Sequence, residues 1–118
     1  MLSSVASAAI KALDGFLVKV EIDISAGAPG FAIVGLPEQV KEAKDRVQAA
    51  IRNSGYDFPT KKIVVNLVPA EIKKTGTHFD LPIALGILAA NKSLSEEALN
   101  KLKEMVFIGE LGLNGELH

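Results

Sequence analysis

From Phe16 to Ser25 the chain alternates: Val18, Val20, Ile22 and Ile24 fall on one side of an extended backbone, and Lys19, Glu21 and Asp23 on the other. That pattern predicts a half-buried strand. Ser4 to Leu13 reads as a weaker strand before it, and Asp14-Gly15 carries the turn chemistry of an antiparallel hairpin between the two. Ala26 to Gly30 follows as a Gly/Pro turn, and Phe31 to Val34 as a short apolar strand ending at Gly35.

The period then changes. Pro37 suits a first helical turn, where a missing N–H costs nothing. Val40, Ala43, Val47, Ala50 and Ile51 recur at three- and four-residue spacing, which predicts an amphipathic helix. Lys41 with Asp45 and Glu42 with Arg46 stand four apart on its charged face and read as solvated pairs. Asn53-Ser54-Gly55 ends the helix.

Lys62 to Val68 is an almost continuous β-branched run, as expected of a central strand covered on both faces. Its one internal polar residue, Asn66, needs a partner, because an unpaired buried amide costs about 1–3 kcal/mol. Pro69 stops the strand. A polar loop, Glu71 to Phe79, leads to Asp80, read as the N-cap of a helix with Pro82 in its first turn. Leu81 to Ala90 is apolar on all sides, so this helix is packed over most of its circumference, and Gly86 within it predicts a close approach to the sheet.

A third helix is expected from Ser95 to near Lys103, with Leu94 and Leu99 spaced for a hydrophobic staple. Met105 to Leu111 reads as a further strand. Asn114-Gly115 is a two-residue hairpin signal followed by only three residues, so the partner strand is expected to be missing and the domain cut within that hairpin.

Composition narrows the classes. At 118 residues, 48% hydrophobic and 23% charged, the chain suits one compact domain spanning 1–118. A formal net charge of −1 gives no global attraction to nucleic acid or anionic membrane. The absence of cysteine removes disulfides, thiolate nucleophiles and zinc-thiolate sites, and agrees with a cytoplasmic setting. The opening residues contain an Ala-Ser-Ala that imitates a signal-peptidase site, but with no basic residue before it and a short apolar stretch it reads as mature chain. The longest apolar run, LPIALGILAA, is about half the roughly 20 residues a membrane helix requires, so no membrane is expected as a partner.

Three stretches carry candidate chemistry. GFAIVGLP, Gly30 to Pro37, has two glycines at the spacing of a phosphate-binding loop, but Leu36-Pro37 stand where Lys and Ser/Thr would hold phosphate and magnesium. It reads as a strand-to-helix turn. His78 and Asp80 flank Phe79 and could supply two metal ligands or a base with its orienter, too few for a stable metal site, so Asp80 reads as a cap and His78 as a surface or subunit-contacting residue. Lys61-Lys62 and Lys73-Lys74 are the paired basic residues and the candidate contacts, with His78, for nucleic acid or a partner. They bracket the central strand, whose length of roughly 20 Å separates them, and they read mainly as solvated loop lysines.

Together VEIDISAGAPGFAIVGLPEQVKEAKDRVQAAIRNSGYDFP, KKIVVNLVPAEIKKTGTHFDLPIALGILAA and FIGELGLNGEL resemble, over essentially the whole chain, the amino-terminal ChlI-like domain of the magnesium-chelatase-like ComM/YifB family. The landmarks GLP, EAKDRV, NSGYDFP, VNLVPA, FDLPIA and GELGLNG occur in order. The resemblance implies an α/β (α+β) fold, a mixed β-sheet with helices packed on one side. Such a fold is similar to the second domain of the fifth small-subunit ribosomal protein and to the Lon protease domain. It also implies that an AAA+ ATPase module using ATP and magnesium follows beyond the chain. Hexamers and DNA branch migration in natural competence are implied for the full-length protein, with its own AAA+ domain, neighbouring subunits and DNA as partners.

For this piece the implied role is non-catalytic and free of cofactors, with direct DNA contact as the alternative. A Lon-like peptidase would need a serine in the loop TGTHFDLP, where His78 takes the corresponding place, and a lysine base whose place lies past the end. Thr75 and Thr77 could offer hydroxyls but have no base positioned by the sequence. A chelatase role lacks a ligand constellation.

Overall fold

The computed structural model describes residues 1–11, 13–35, 42–69, 74 and 76–118. Their order is β1 (Leu2–Lys11), β2 (Asp14–Ser25), β3 (Gly30–Val34), α1 (Glu42–Asn53), β4 (Lys62–Val68), α2 (Asp80–Ala90) and α3 (Glu96–Leu102). The strands form one mixed sheet in the order β1-β2-β4-β3, in which β2 runs antiparallel to β1 and β4, and β3 parallel to β4. This α+β architecture is the class expected.

Register follows from burial. Val20 lies opposite Val5 on one side and Leu67 on the other, and Ile22 opposite Ser3 and Val65, so the β-branched positions converge on one face. Against that face lie α2 and, packed on α2, α1, whose Val47, Ala50 and Ile51 join the same core. Gly86 is what brings α2 so close: a Cβ there would run into the side chain of the fully buried Ile22, and the Gly86 carbonyl accepts a 2.7 Å hydrogen bond from Ser3 Oγ. The close approach predicted for this glycine is present.

Several boundaries differ from expectation. Lys11 pairs with Asp14, so Asp14-Gly15 already belongs to β2 and is not the turn. A shift of two residues keeps every side chain on its face, so the alternation that defines the strand cannot fix where the turn falls. Strand β4 is covered on one face only: Ile63, Val65 and Leu67 are buried, whereas Val64, Asn66 and Val68 are half-buried. Its β-branched run reflects strand propensity more than two-sided burial. Asn66 finds its partner on the open face, donating to Glu21 Oε1 at 3.2 Å across the ladder.

At the end of α1, Tyr56 N–H bonds the Ile51 carbonyl (3.1 Å) and Gly55 N–H the Arg52 carbonyl (3.1 Å), with Gly55 at φ +90°, a Schellman ending as the Asn-Ser-Gly signal implied. The expected start of this helix at Pro37, and the Lys41–Asp45 pair, lie outside the described residues. Ser95 caps α3 by accepting from Ala98 N–H at 3.1 Å.

The C-terminal segment departs most. Met105 to Leu111 is not a strand: Val106 makes a single parallel bridge to Ala6, with Phe107 N–H on the Ala6 carbonyl, and the backbone then leaves β1 for the start of α2. The hairpin expected to lack a partner is closed. Leu117 bridges Leu111, His118 N–H donates to the Glu110 carbonyl at 2.8 Å, and Gly112 N–H to the Glu116 carbonyl at 2.8 Å. The loop is therefore three residues, Leu113 to Gly115, with Gly115 at φ +88°.

Candidate functional site

One group of hydrogen-bonded polar atoms joins three segments that are distant in sequence. Asp80, 1% exposed, takes two hydrogen bonds from Arg46 of α1, from Nε to Oδ2 at 2.6 Å and from Nη2 to Oδ1 at 3.1 Å. Its Oδ2 also accepts Leu111 N–H at 3.1 Å. The Asp80 hydrogen bond raises the Arg46 pKa above its usual value, against the opposing effect of burial. Two further bonds tie the C-terminal segment to the start of α2: Gly109 N–H to the His78 carbonyl (2.8 Å) and Leu81 N–H to the Gly109 carbonyl (3.0 Å).

Both sequence assignments at this node are corrected. Asp80 is not the N-cap of α2: that position is Phe79, with helical φ −84° and ψ −7° and no side-chain cap bond, and the carboxylate is turned to Arg46 instead. Nor is Arg46 chiefly a solvated i,i+4 partner. Its contact with Glu42 is 3.7 Å, to a side chain 83% exposed, beside the 2.6 Å contact with Asp80. The signal was in the spacing: Ala43, Arg46, Val47 and Ala50 follow i, i+3, i+4, i+7, so Arg46 sits inside the apolar stripe.

The candidate contact residues are scattered. Lys61 and Lys62 are exposed where β4 begins. Lys73 lies outside the described residues. Lys74 is 1% exposed, and its amine donates to the carbonyl of the half-buried Pro69, so the expectation of a solvated lysine fails there. His78 is half-buried, with its ring against Phe79 (centroids 4.1 Å apart) and Nε2 donating to the Ala8 carbonyl at 2.9 Å. It anchors the loop before α2 to β1. Lys62 and Lys74 belong to opposite ends of β4 and form no common patch.

The nucleotide-loop near-miss is also explained. Gly35 has φ +95°, and a Cβ on it would stand 2.6 Å from the Leu67 carbonyl oxygen, so the glycine lets β3 leave the sheet against the β4 backbone. Leu36 and Pro37 lie outside the described residues. Among the described residues no three His, Asp or Glu side chains gather in a way that could hold a metal ion, and no helix is long and apolar enough to cross a membrane.

Residues 20–118 match the family model described as subunit ChlI of Mg-chelatase. The chain is 54% identical over 101 residues to the uncharacterized protein YifB of Escherichia coli K12, covering 85% of this chain and 19% of that protein. Over 102 residues it is 51% identical to competence protein ComM of Haemophilus influenzae, covering 86% of the chain and 19% of the relative. An uncharacterized protein of Mycobacterium tuberculosis H37Rv is 37% identical over 112 residues, covering 94% and 22%. The chain thus spans about a fifth of the length of the relatives it matches.

Proposed function

The chain belongs to the magnesium-chelatase-like family that includes YifB and ComM, and we propose that it is the non-catalytic amino-terminal structural and interaction domain of a longer AAA+ ATPase. The observation that carries this reading is the Arg46–Asp80–Leu111 node. Arg46, Asp80 and Leu111 fall in the EAKDRV, FDLPIA and GELGLNG landmarks, and all three are used to hold the domain together. Asp80, the candidate base of the sequence reading, has its oxygens committed to Arg46 and Leu111.

In this reading ATP and magnesium belong to the remainder of the full-length protein, which assembles as a hexamer and remodels DNA, with branch migration in natural competence as its role. The test compares the 118-residue chain, the full-length protein and a version lacking these residues. The chain alone should hydrolyse no ATP, the full-length protein should, and the shortened version should keep ATP turnover while losing assembly or its coupling to DNA. Nucleotide turnover by the chain alone would refute the assignment.

Direct DNA contact is the second reading, favoured by the exposure of the adjacent Lys61 and Lys62 at the start of β4. Binding to forked and single-stranded DNA should then weaken steeply with salt, with a smaller slope after Lys61→Ala and Lys62→Ala.

A further inference from the structure

The open face of the sheet is divided. Where β2 meets β4 it behaves largely as a solvated face should, with Glu21, Asp23, Asn66 and Lys62 outward beside the apolar Val64 and, on β3, Val34. Towards the β1–β2 hairpin it does not. Leu17 is 68% exposed opposite Ala8, and Ile10 is 79% exposed beyond it. Val106, paired with Ala6 and so on the same face, is 50% exposed.

The end of α3 turns this apolar half into a groove of about 350 Å³ bordered by Leu17, Ala6, Val68 and Leu102. Among the described residues its charged lining side chains are Lys19, which the register places between Ala6 and Val68, and Lys103, and none is acidic. The nearest carboxylate on β2, Glu21, is engaged by Asn66. A mainly apolar groove carrying two lysines is complementary to a segment offering apolar side chains beside carboxylates.

We propose that this groove is where the domain docks on the ATPase portion of the full-length protein, which inserts an apolar segment flanked by acidic residues. The inference rests on the reading of the chain as one domain of a longer ATPase. It adds which face is used and what chemistry meets it. The relatives are long enough to supply the partner, since the matched region covers only 19% of them.

Because the chain has no cysteine, single thiols report access directly. Leu17→Cys in the groove and Ala32→Cys on β3, at the far side of the same face, would be labelled with a maleimide in the isolated chain and in a full-length protein cleared of other reactive cysteines. Labelling of the Leu17→Cys protein should slow by about tenfold or more on going to the full-length protein, with little change for Ala32→Cys. Lys19→Glu with Lys103→Glu should restore fast labelling, and the milder Lys19→Gln with Lys103→Gln should do so in part, with unchanged circular dichroism as the check on folding.

Equal rates in the two proteins would overturn the docking site, and equal slowing at both thiols would overturn its restriction to the apolar half. Protection that survives charge reversal would overturn the acidic partner. Protection that grows with concentration in the isolated chain would assign the groove to a second copy instead. ATP turnover, measured on the same full-length samples, separates these outcomes from a failure of the ATPase reading.

Discussion

Arg46 and Asp80, 34 residues apart, form a two-bond pair that locks α1 to the start of α2 while the same carboxylate holds Leu111. Taking two charges out of water is costly, and a buried pair of this kind contributes little net stability relative to a well-packed apolar pair. Its removal on one side is a different matter, because the remaining charge stays buried without its counterion. Arg46→Ala, which leaves the 1%-exposed Asp80 carboxylate without its counterion, should therefore destabilise the domain by about 3–5 kcal/mol, and Asp80→Ala, which leaves a guanidinium 17% exposed and still 3.7 Å from Glu42, by less. Glu42→Ala, which removes only the exposed end of the network, should stay within about 0.5 kcal/mol. Urea unfolding of the three variants checks the ranking, and equal effects for Glu42→Ala and Asp80→Ala would refute it.

Gly35 makes a sharper case, since two independent constraints act on one atom. Its φ of +95° is poorly tolerated by a residue with a side chain, and the space a Cβ would need is taken by the Leu67 carbonyl at 2.6 Å, which is strand backbone and cannot rotate away. Gly35→Ala should cost at least about 2 kcal/mol, read as a lowered midpoint in thermal or urea unfolding. Gly27, with φ +141° but nothing within 4 Å of the added Cβ, is the control and should lose less on the same substitution.

The exposed lysines should be silent in stability. Lys61 and Lys62 lie outside the core, so Lys61→Ala with Lys62→Ala should shift unfolding by no more than about 0.5 kcal/mol. Any effect on DNA binding can then be read as contact. A large loss of stability in the double variant would remove that use of it.

How far the sequence foretold this structure depends on what each feature needs. The alternation of Val18 to Ile24 and the stripe through Val47 and Ile51 are local, and the strand and the helix are both present over those residues. What failed were features decided by distant partners. Asp80 has the residue type of a cap and the neighbours of a cap, but Arg46 and Leu111 compete for its oxygens and win. Lys74 reads as loop surface until the Pro69 carbonyl claims its amine. Met105 to Leu111 has strand composition, yet its backbone divides its bonds between Ala6, His78 and Leu81, so no ladder extends. The candidate site shares this origin: only three-dimensional convergence shows EAKDRV, FDLPIA and GELGLNG to be one node.

Gly86 and Ile22 give a test of packing that does not depend on a single destabilisation. Alanine is the better helix former by about 1 kcal/mol, so Gly86→Ala would stabilise an isolated α2. Here the added Cβ collides with Ile22 Cδ1 and comes within 3.6 Å of Val5 Cγ2, in a core where both residues are at most 2% exposed. Overpacking of this kind costs about 1–3 kcal/mol, so the net effect should be a loss of up to about 2 kcal/mol. Ile22→Val removes the colliding methyl and alone should cost about 0.5–1.5 kcal/mol through the void it leaves. Combined, each change relieves the fault of the other. The double variant should be more stable than the sum of the two single effects predicts, with a coupling of about 1 kcal/mol, measured by a double-mutant cycle in urea. Additive losses would mean that α2 shifts off the sheet to accept the methyl, and that Gly86 does not set its distance.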